Sequence, residues 1–350
     1  MSILTTCIGA YPKPDYLALP DWFNLPEGVD TADPTEKWQQ AFDALGPDAE
    51  ATLARAVKDV VGEQVAAGID IPTDGEVPRE NYIHYHCRHI EGIDFSNLTT
   101  KILRDGAYEA NLPTIVSAVK AREPFLVKDW RRAQSFSDRP VKITLPGPMT
   151  IGDTTGDKFY GSPIERGAAL ADTLNKEVHA LAEAGCKHIQ IDEPVFARYP
   201  NKALEFGFEN LERAFNNCPK GVTKTVHMCC GYPGSIDDED YPKADHDAYF
   251  QLADAIEASC IDRVSLEDAH RYNDLTLLER FQNTSVIFGA VAIAKSEIES
   301  VETIRARLQK ALDHIDADRL LAAPDCGLGI LGWALARLKL NNLVLAAKSF

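Results

Sequence analysis

The chain has 350 residues, 45% of them hydrophobic and 25% charged, enough to bury a large core in one big α/β barrel or in two ordinary domains. Its formal net charge is −17, and no Lys/Arg block is present that could track nucleic-acid phosphates or an anionic membrane surface. Small-molecule chemistry is the class left standing. The first residues lack a basic stretch leading into an apolar one, and no apolar run approaches the roughly 20 residues that span a bilayer, so the expectation is a cytoplasmic protein.

Short β-branched runs alternate with longer segments of helical period, the mark of repeated βα units and a parallel sheet. The first run is 3–8, followed by Pro- and acid-rich residues 11–48, which read as a long loop, and by an amphipathic stretch at 50–67. The second run is 69–74, and residues 76–140 after it read as an insertion carrying a hairpin and a helix. Strands are then expected at 141–145, 187–192, 222–228, 262–266, 285–291 and 319–324. Helical stretches fall at 164–184, 202–217, 245–259, 272–282, 297–316 and 333–347. Eight parallel strands with right-handed crossovers close most simply into a (β/α)8 TIM barrel, because closure leaves no exposed edge. The expectation is one domain over 1–350 with insertions after strands 1 and 2. An open doubly wound sheet is the alternative, but no G-x-G-x-x-G follows the first strand.

Metal-capable residues collect at the ends of these strands: Glu76, Asp192 and Glu193, His227 and Cys229, Glu267, and Cys326. In a barrel all of those positions meet at one mouth, where active sites of this fold are built. His227 and Cys229 are two apart, so an extended strand points both to one face and Cys230 to the other. Eight scattered cysteines in a chain of this length read as reduced thiols or metal ligands rather than disulfides. Cys7, Cys87, Cys186, Cys218 and Cys260 read as small buried hydrophobes. Two thiolates, an imidazole and a carboxylate suit tetrahedral Zn²⁺. A bland reading is also open, in which two buried cysteines, a core histidine and a salt-bridged glutamate merely fall at strand ends. A rival metal cluster is His84, His86, Cys87 and His89 in the insertion, whose bland reading is a helix start or loop.

The motifs CIGAYPKP (7–14), AGIDIPTDGE (67–76), LPGPMTI (145–151), GCKHIQIDEP (185–194), HMCC (227–230), SLE (265–267) and PDCGLG (324–329), in that order, make the chain resemble the cobalamin-independent methionine synthase family. The likeness is to the short form equivalent to the C-terminal catalytic barrel, and it covers most of the chain. It implies Zn²⁺ held by His227, Cys229, Glu267 and Cys326, and a homocysteine pocket formed by Ile8, Gly9, Ala10, Glu76 and Asp192. It also implies methyl transfer to the homocysteine thiol, giving methionine. Glu76 and Asp192 would hold the ammonium of the amino-acid thiol; otherwise they are barrel-top carboxylates near helix N-termini.

The donor half of the family pattern is altered. Full-length members carry a histidine beyond strand 7, with an aspartate two residues before it, as proton donor to the departing folate nitrogen. Here Ala294 and Ala292 stand there. Glu109 and Ala110, Thr154 and Arg198 likewise replace the residues expected to contact folate. Without a positioned acid a folate nitrogen leaves badly, by about 10²- to 10⁴-fold. The expectation is a donor other than methyl-tetrahydrofolate, such as methylcobalamin on a carrier or accessory protein or a small sulfonium, unless His270, Asp268 or Lys295 serves as a relocated acid. Two further readings are alkyl transfer to a sulfonate thiol such as coenzyme M, for which Arg79, Arg198 or Lys295 would be the cationic partners, and a metal-free ligand-binding barrel of the uroporphyrinogen decarboxylase type.

Overall fold

A computed structural model of the chain describes residues 2–24, 33–103, 106, 108–239 and 241–350. Seven parallel strands form the central sheet: β1 (Leu4–Thr5), β4 (Lys142–Pro146), β6 (His188–Asp192), β7 (Thr223–Met228), β8 (Arg263–Leu266), β9 (Ser285–Val291) and β10 (Leu320–Pro324). Their order is β1-β10-β9-β8-β7-β6-β4. Residues 71–73 sit between the two ends of that order, through parallel bridges Thr6–Ile71 and Thr73–Lys142. The sheet therefore curls back towards itself, as βα repeats with right-handed crossovers require.

The expected strands agree with the observed ones to within a residue or two, apart from the two outer segments. There only Leu4–Thr5 and the bridges at Thr6, Ile71 and Thr73 pair. The return helices form where apolar spacing and caps coincide. Helix Pro163–Glu183 starts with the Ser162 hydroxyl accepting from Glu165 N and with Pro163 in its first turn. Helix Ala49–Ala67 stops at Gly68, whose φ of 96° supplies the left-handed cap. Segment 202–217 is not one regular helix, because a π-helical stretch, Ala203–Gly207, interrupts it. The 272–282 stretch is a 3₁₀ helix, Leu275–Arg280.

Residues 11–48 are not simply a loop, for they include a short 3₁₀ turn, Trp22–Asn24, and a helix, Asp33–Ala44. Composition misled there: Asp33 and Pro34 are a helix start signal rather than loop filler. The 76–140 segment does carry a hairpin, β2 (Ile90–Leu103) against β3 (Tyr108–Ala121), flanked by helices Tyr82–Cys87 and Leu126–Gln134. The two-residue strand β5 (Gly156–Asp157) extends it.

Alternation along the strands sorts side chains into two sets. Ile143, Leu145, Ile189, Ile191, Val226, Met228, Val264 and Leu266 join the main core beneath the helices. On the opposite face Ile8, Ile71, Ile287, Leu321 and Ala323 form a small apolar cluster of their own. The remaining positions of that face are polar and buried: Lys142, Thr144, Gln190, Asp192, Thr225, His227, Ser265 and Glu267. An interior this polar along β4, β6, β7 and β8 gathers the metal-capable side chains of these strands on one face.

Candidate metal centre

Strand register sets the neighbours. Asp192 ends β6 beside His227, and His227 on β7 pairs with Ser265 on β8. His227, Cys229 and Cys326 bring one ligand atom each within 4.8 Å of one another. His227 Nε2 lies 3.4 Å from Cys326 Sγ, and its Nδ1 is 2.9 Å from Ser265 Oγ. Ser265 can accept the Nδ1 proton, which leaves the Nε2 lone pair towards the sulfurs. Hydrogen bonding from Cys326, more than the partner imidazole, holds the Cys229 thiol well below the ordinary range, and the same bond drives Cys326 well above it.

Glu267, expected as the fourth ligand, falls outside this triangle and belongs to a second group with His270 and Asp325, whose ligand atoms lie within 4.8 Å of one another. One carboxylate oxygen accepts from Cys230 N at 2.8 Å. The other, Oε1, is buried with no hydrogen-bond partner among the described residues and lies 3.8 Å from His270 Nδ1, a costly state for a carboxylate oxygen unless a cation meets it. Asp325 organises the loop between: it accepts from the backbone N–H groups of Asp268, Ala269 and His270 and lies 2.7 Å from His270 Nδ1. A soft triangle of one N and two S fits a thiophilic divalent ion, and the Cys230 N–H ties Glu267 to the same loop.

The triangle opens into a cavity whose walls include Ile8, Gly9, Ala10, Glu76 and Asp192. Glu76 has φ of 53°, a left-handed backbone that a glutamate rarely adopts. Gly9 makes room for it, since a Cβ there would lie 2.5 Å from Glu76 Oε1. Thr144 Oγ1 donates to Glu76 at 2.7 Å, and Arg79, paired with Asp74 at 3.0 Å, stands behind it. Burial lifts the Glu76 carboxyl to about 7 against the pull of Arg79, and lifts Asp192 to about 6 against the pull of His227 and the Gln190 hydrogen bond. Gln190 Nε2 spans Asp192 Oδ1 at 2.7 Å and Ile8 O at 3.0 Å, so one amide fixes the carboxylate to the backbone wall opposite.

Of the altered positions, Thr154 and Arg198 line the cavity, whereas Glu109 is exposed and Ala110 packs with Leu103 and Leu112. The three candidates for a relocated acid do not line it. His270 has Nδ1 on Asp325 and Nε2 facing Ala294 N at 3.2 Å, Asp268 is clamped by Arg307 at 2.6 and 2.7 Å, and Lys295 lies 3.8 Å from Glu239. The histidines at 84, 86 and 89 are split among different partners: His84 with Thr154 O, His86 with Tyr82 O, and His89 stacked on Phe125. Among the described residues they form no group of three ligands. Cys7, Cys87 and Cys186 are buried free thiols, as expected, while Cys218 and Cys260 are half-buried.

Sequence reading missed Ser265, Gln190, Thr144 and Asp325, which work through contacts no local motif announces. It also missed Trp22, Phe23, Tyr82 and Tyr232, which line the cavity from beyond the strand ends, the first two on the 3₁₀ turn Trp22–Asn24 and Tyr82 on the helix Tyr82–Cys87. Among the described residues no helix is long and apolar enough to cross a membrane.

Comparison with known proteins places these features. Residues 26–349 match the family model described as cobalamin-independent synthase, catalytic domain. The methionine synthase of Thermococcus kodakarensis is 30% identical over 348 residues, covering 97% of this chain and 91% of that one. That of Sulfurisphaera tokodaii is 28% identical, covering 98% and 91%. A solved B12-independent methionine synthase from Shewanella sp. W3-18-1, in complex with selenomethionine, superposes with a TM-score of 0.86 at 31% identity, covering 100% of this chain and 98% of that one. The chain thus belongs to the cobalamin-independent methionine synthase family.

Proposed function

We propose that the protein is a zinc-dependent methyltransferase that methylates the thiol of homocysteine to give methionine, with a donor other than methyl-tetrahydrofolate, in a cytoplasmic (β/α)8 barrel whose second strand is the 71–73 segment. The observation that carries the reading is the convergence of His227, Cys229 and Cys326 on one point, with Glu267 bonded to the backbone N–H of Cys230, one residue beyond Cys229. These four residues would hold the ion. A free thiol titrates near about 8.5, so little of it is nucleophilic at neutral pH, and a bound zinc supplies the deprotonated sulfur.

The chain's own residues do the rest. Glu76 and Asp192 offer buried carboxylates to the amino-acid ammonium, and the Ile8–Ala10 backbone lies alongside for the carboxylate end. Both carboxylates are buried, so these contacts act in a low dielectric. Support for an unusual donor comes from Ala294 and from the three commitments of His270, Asp268 and Lys295, which leave Glu76 and Asp192, both assigned here to the ammonium, as the carboxyl groups on the cavity wall among the described residues. A sulfonate thiol finds less support: Arg198, the one guanidinium on the wall among the described residues, is 3.5 Å from Asp153, and Arg79 and Lys295 do not line the cavity. A metal-free barrel would have no use for the thiol pair.

The test is a screen of methyl donors with purified, zinc-loaded protein and homocysteine, read as methionine by mass spectrometry. Methyl-tetrahydrofolate alone giving methionine at a useful rate would overturn the donor assignment. Protein purified under reducing conditions that retains less than stoichiometric zinc, unchanged in Cys326→Ser, would overturn the metal assignment.

A further inference from the structure

The mouth of the cavity is aromatic. Trp22 lies 4.6 Å from Phe23, 5.7 Å from Tyr82 and 5.8 Å from Tyr232, ring centre to ring centre, and Phe23 lies 5.3 Å from Tyr232. The rings are anchored. Trp22 N donates to Glu80 O at 2.8 Å, Asp21 accepts from Phe23 N at 3.0 Å, and a buried Lys13–Asp21 ion pair of 3.0 Å holds the turn. Gly329 leaves the space that the Phe23 ring fills. Tyr232 donates to Gly327 O at 3.0 Å, which ties the rings to the loop that carries Cys326.

The polar groups of the same wall are already used. Thr150 Oγ1 donates to Glu193, Thr154 Oγ1 to Thr150 O, and Arg198 faces Asp153. A pterin, which is read through hydrogen bonds to its ring edge, would find few here, and a polyglutamate tail would meet a protein of net charge −17. What the wall offers is π faces over an acidic floor containing Glu76 and Asp192. Ring faces attract cations within about 6 Å, and best when water is excluded.

We infer that the aromatic mouth formed by Trp22, Phe23, Tyr82 and Tyr232 receives the methyl donor as a compact methylsulfonium cation. This rests on the thiol-methylation reading above and names its second substrate class. The homocysteine sulfur, its proton released to solvent, attacks the methyl carbon in line. The carbon–sulfur bond of the donor breaks, and its electron pair leaves on the donor sulfur as a neutral thioether. Charge balances, with one cation consumed and one proton released, and no acid is required at the leaving group. That agrees with alanine at position 294.

The experiment uses zinc-loaded full-length protein and three measurements. Zinc content and homocysteine binding by calorimetry check the thiol reading by themselves; their failure overturns that reading even if cations bind. Titration with tetramethylammonium, an unreactive probe, against neopentane, its neutral isostere, supplied at saturation in buffer, tests the mouth. The cation is expected to bind about tenfold more tightly, and Trp22→Leu to lose about tenfold while homocysteine binding stays within about twofold. Trp22→Phe, which keeps a ring and much of the packing, should restore most of the cation affinity. Last, trimethylsulfonium with homocysteine should give methionine and dimethyl sulfide in equal amounts. Equal binding of cation and isostere, or a Trp22→Leu protein that binds the cation as before, would overturn the inference. So would methionine formed from methylcobalamin or methyl-tetrahydrofolate and not from any sulfonium.

Discussion

Ser265 Oγ sits 2.9 Å from His227 Nδ1, so a hydroxyl on β8 orients an imidazole on β7. Outer partners of this kind set ligand tautomer and direction, and removing one typically weakens metal binding by about 10- to 100-fold. Ser265→Ala should therefore lose zinc to a competing chelator at least tenfold more readily, with an unchanged far-UV circular dichroism spectrum. Equal retention by the variant and the parent would show that the hydroxyl plays no part in holding the ligand.

Gly9→Ala places a methyl 2.5 Å from Glu76 Oε1. The glutamate would have to leave a position already fixed by its left-handed backbone and by Thr144. The KM for homocysteine should rise by more than about tenfold, since a charge-assisted bond is worth about 1.5–3 kcal/mol, while zinc content stays the same. A KM that does not move would remove Glu76 from the thiol pocket.

Asp325 accepts three backbone N–H groups, a load asparagine cannot carry with one acceptor oxygen. Asp325→Asn should unfold several degrees lower and hold zinc more weakly, because Cys326 is the next residue. Each stranded donor costs about 1–3 kcal/mol. Differential scanning calorimetry and chelator titration read the two effects separately.

Lys142 is buried inside the curled sheet, and its Nζ has no hydrogen-bond partner among the described residues. Burial outweighs the pull of Asp192 and brings the amine down to about 7. The unfolded chain holds that proton up to about 10.4. Between the two values the unfolded state binds a proton the folded state does not, so this residue makes stability rise as pH climbs from about 7 to about 10. Below 7 both states are charged and the full cost of the buried ammonium remains. Lys142→Met should raise the melting temperature by several degrees at pH 6–7 and flatten its slope above. A variant with the parent's slope would show that Lys142 keeps its proton in the fold.

Much of this layout is legible in the sequence, and particular residues show why. His227 and Cys229 are readable as a pair because a strand has period two, and Asp192, Glu267 and Cys326 because each closes an apolar run. Trp22 and Phe23 are not: they lie in a segment whose composition says loop, and their position comes from Lys13, Asp21, Glu80 and Gly329, contacts that no local pattern encodes. Gln190 is hidden differently. It sits mid-strand in HIQID, and only the curling of the sheet brings its amide to Ile8. The helix Asp33–Ala44 was announced by Asp33-Pro34, but the acid- and proline-rich composition around it masked the signal.

Residues 71–73 join the ends of the sheet through two isolated bridges, whereas other neighbouring strands share whole ladders. The ring is thinnest directly beneath Glu76 and Gly9. On the proposed reading, an amino acid held by that carboxylate and the Ile8–Ala10 backbone would span the seam like a staple, and the substrate would complete the wall that recognises it. Amide exchange over 71–76 should slow when the thiol is bound, while the ladders of β6 to β9 keep their pace.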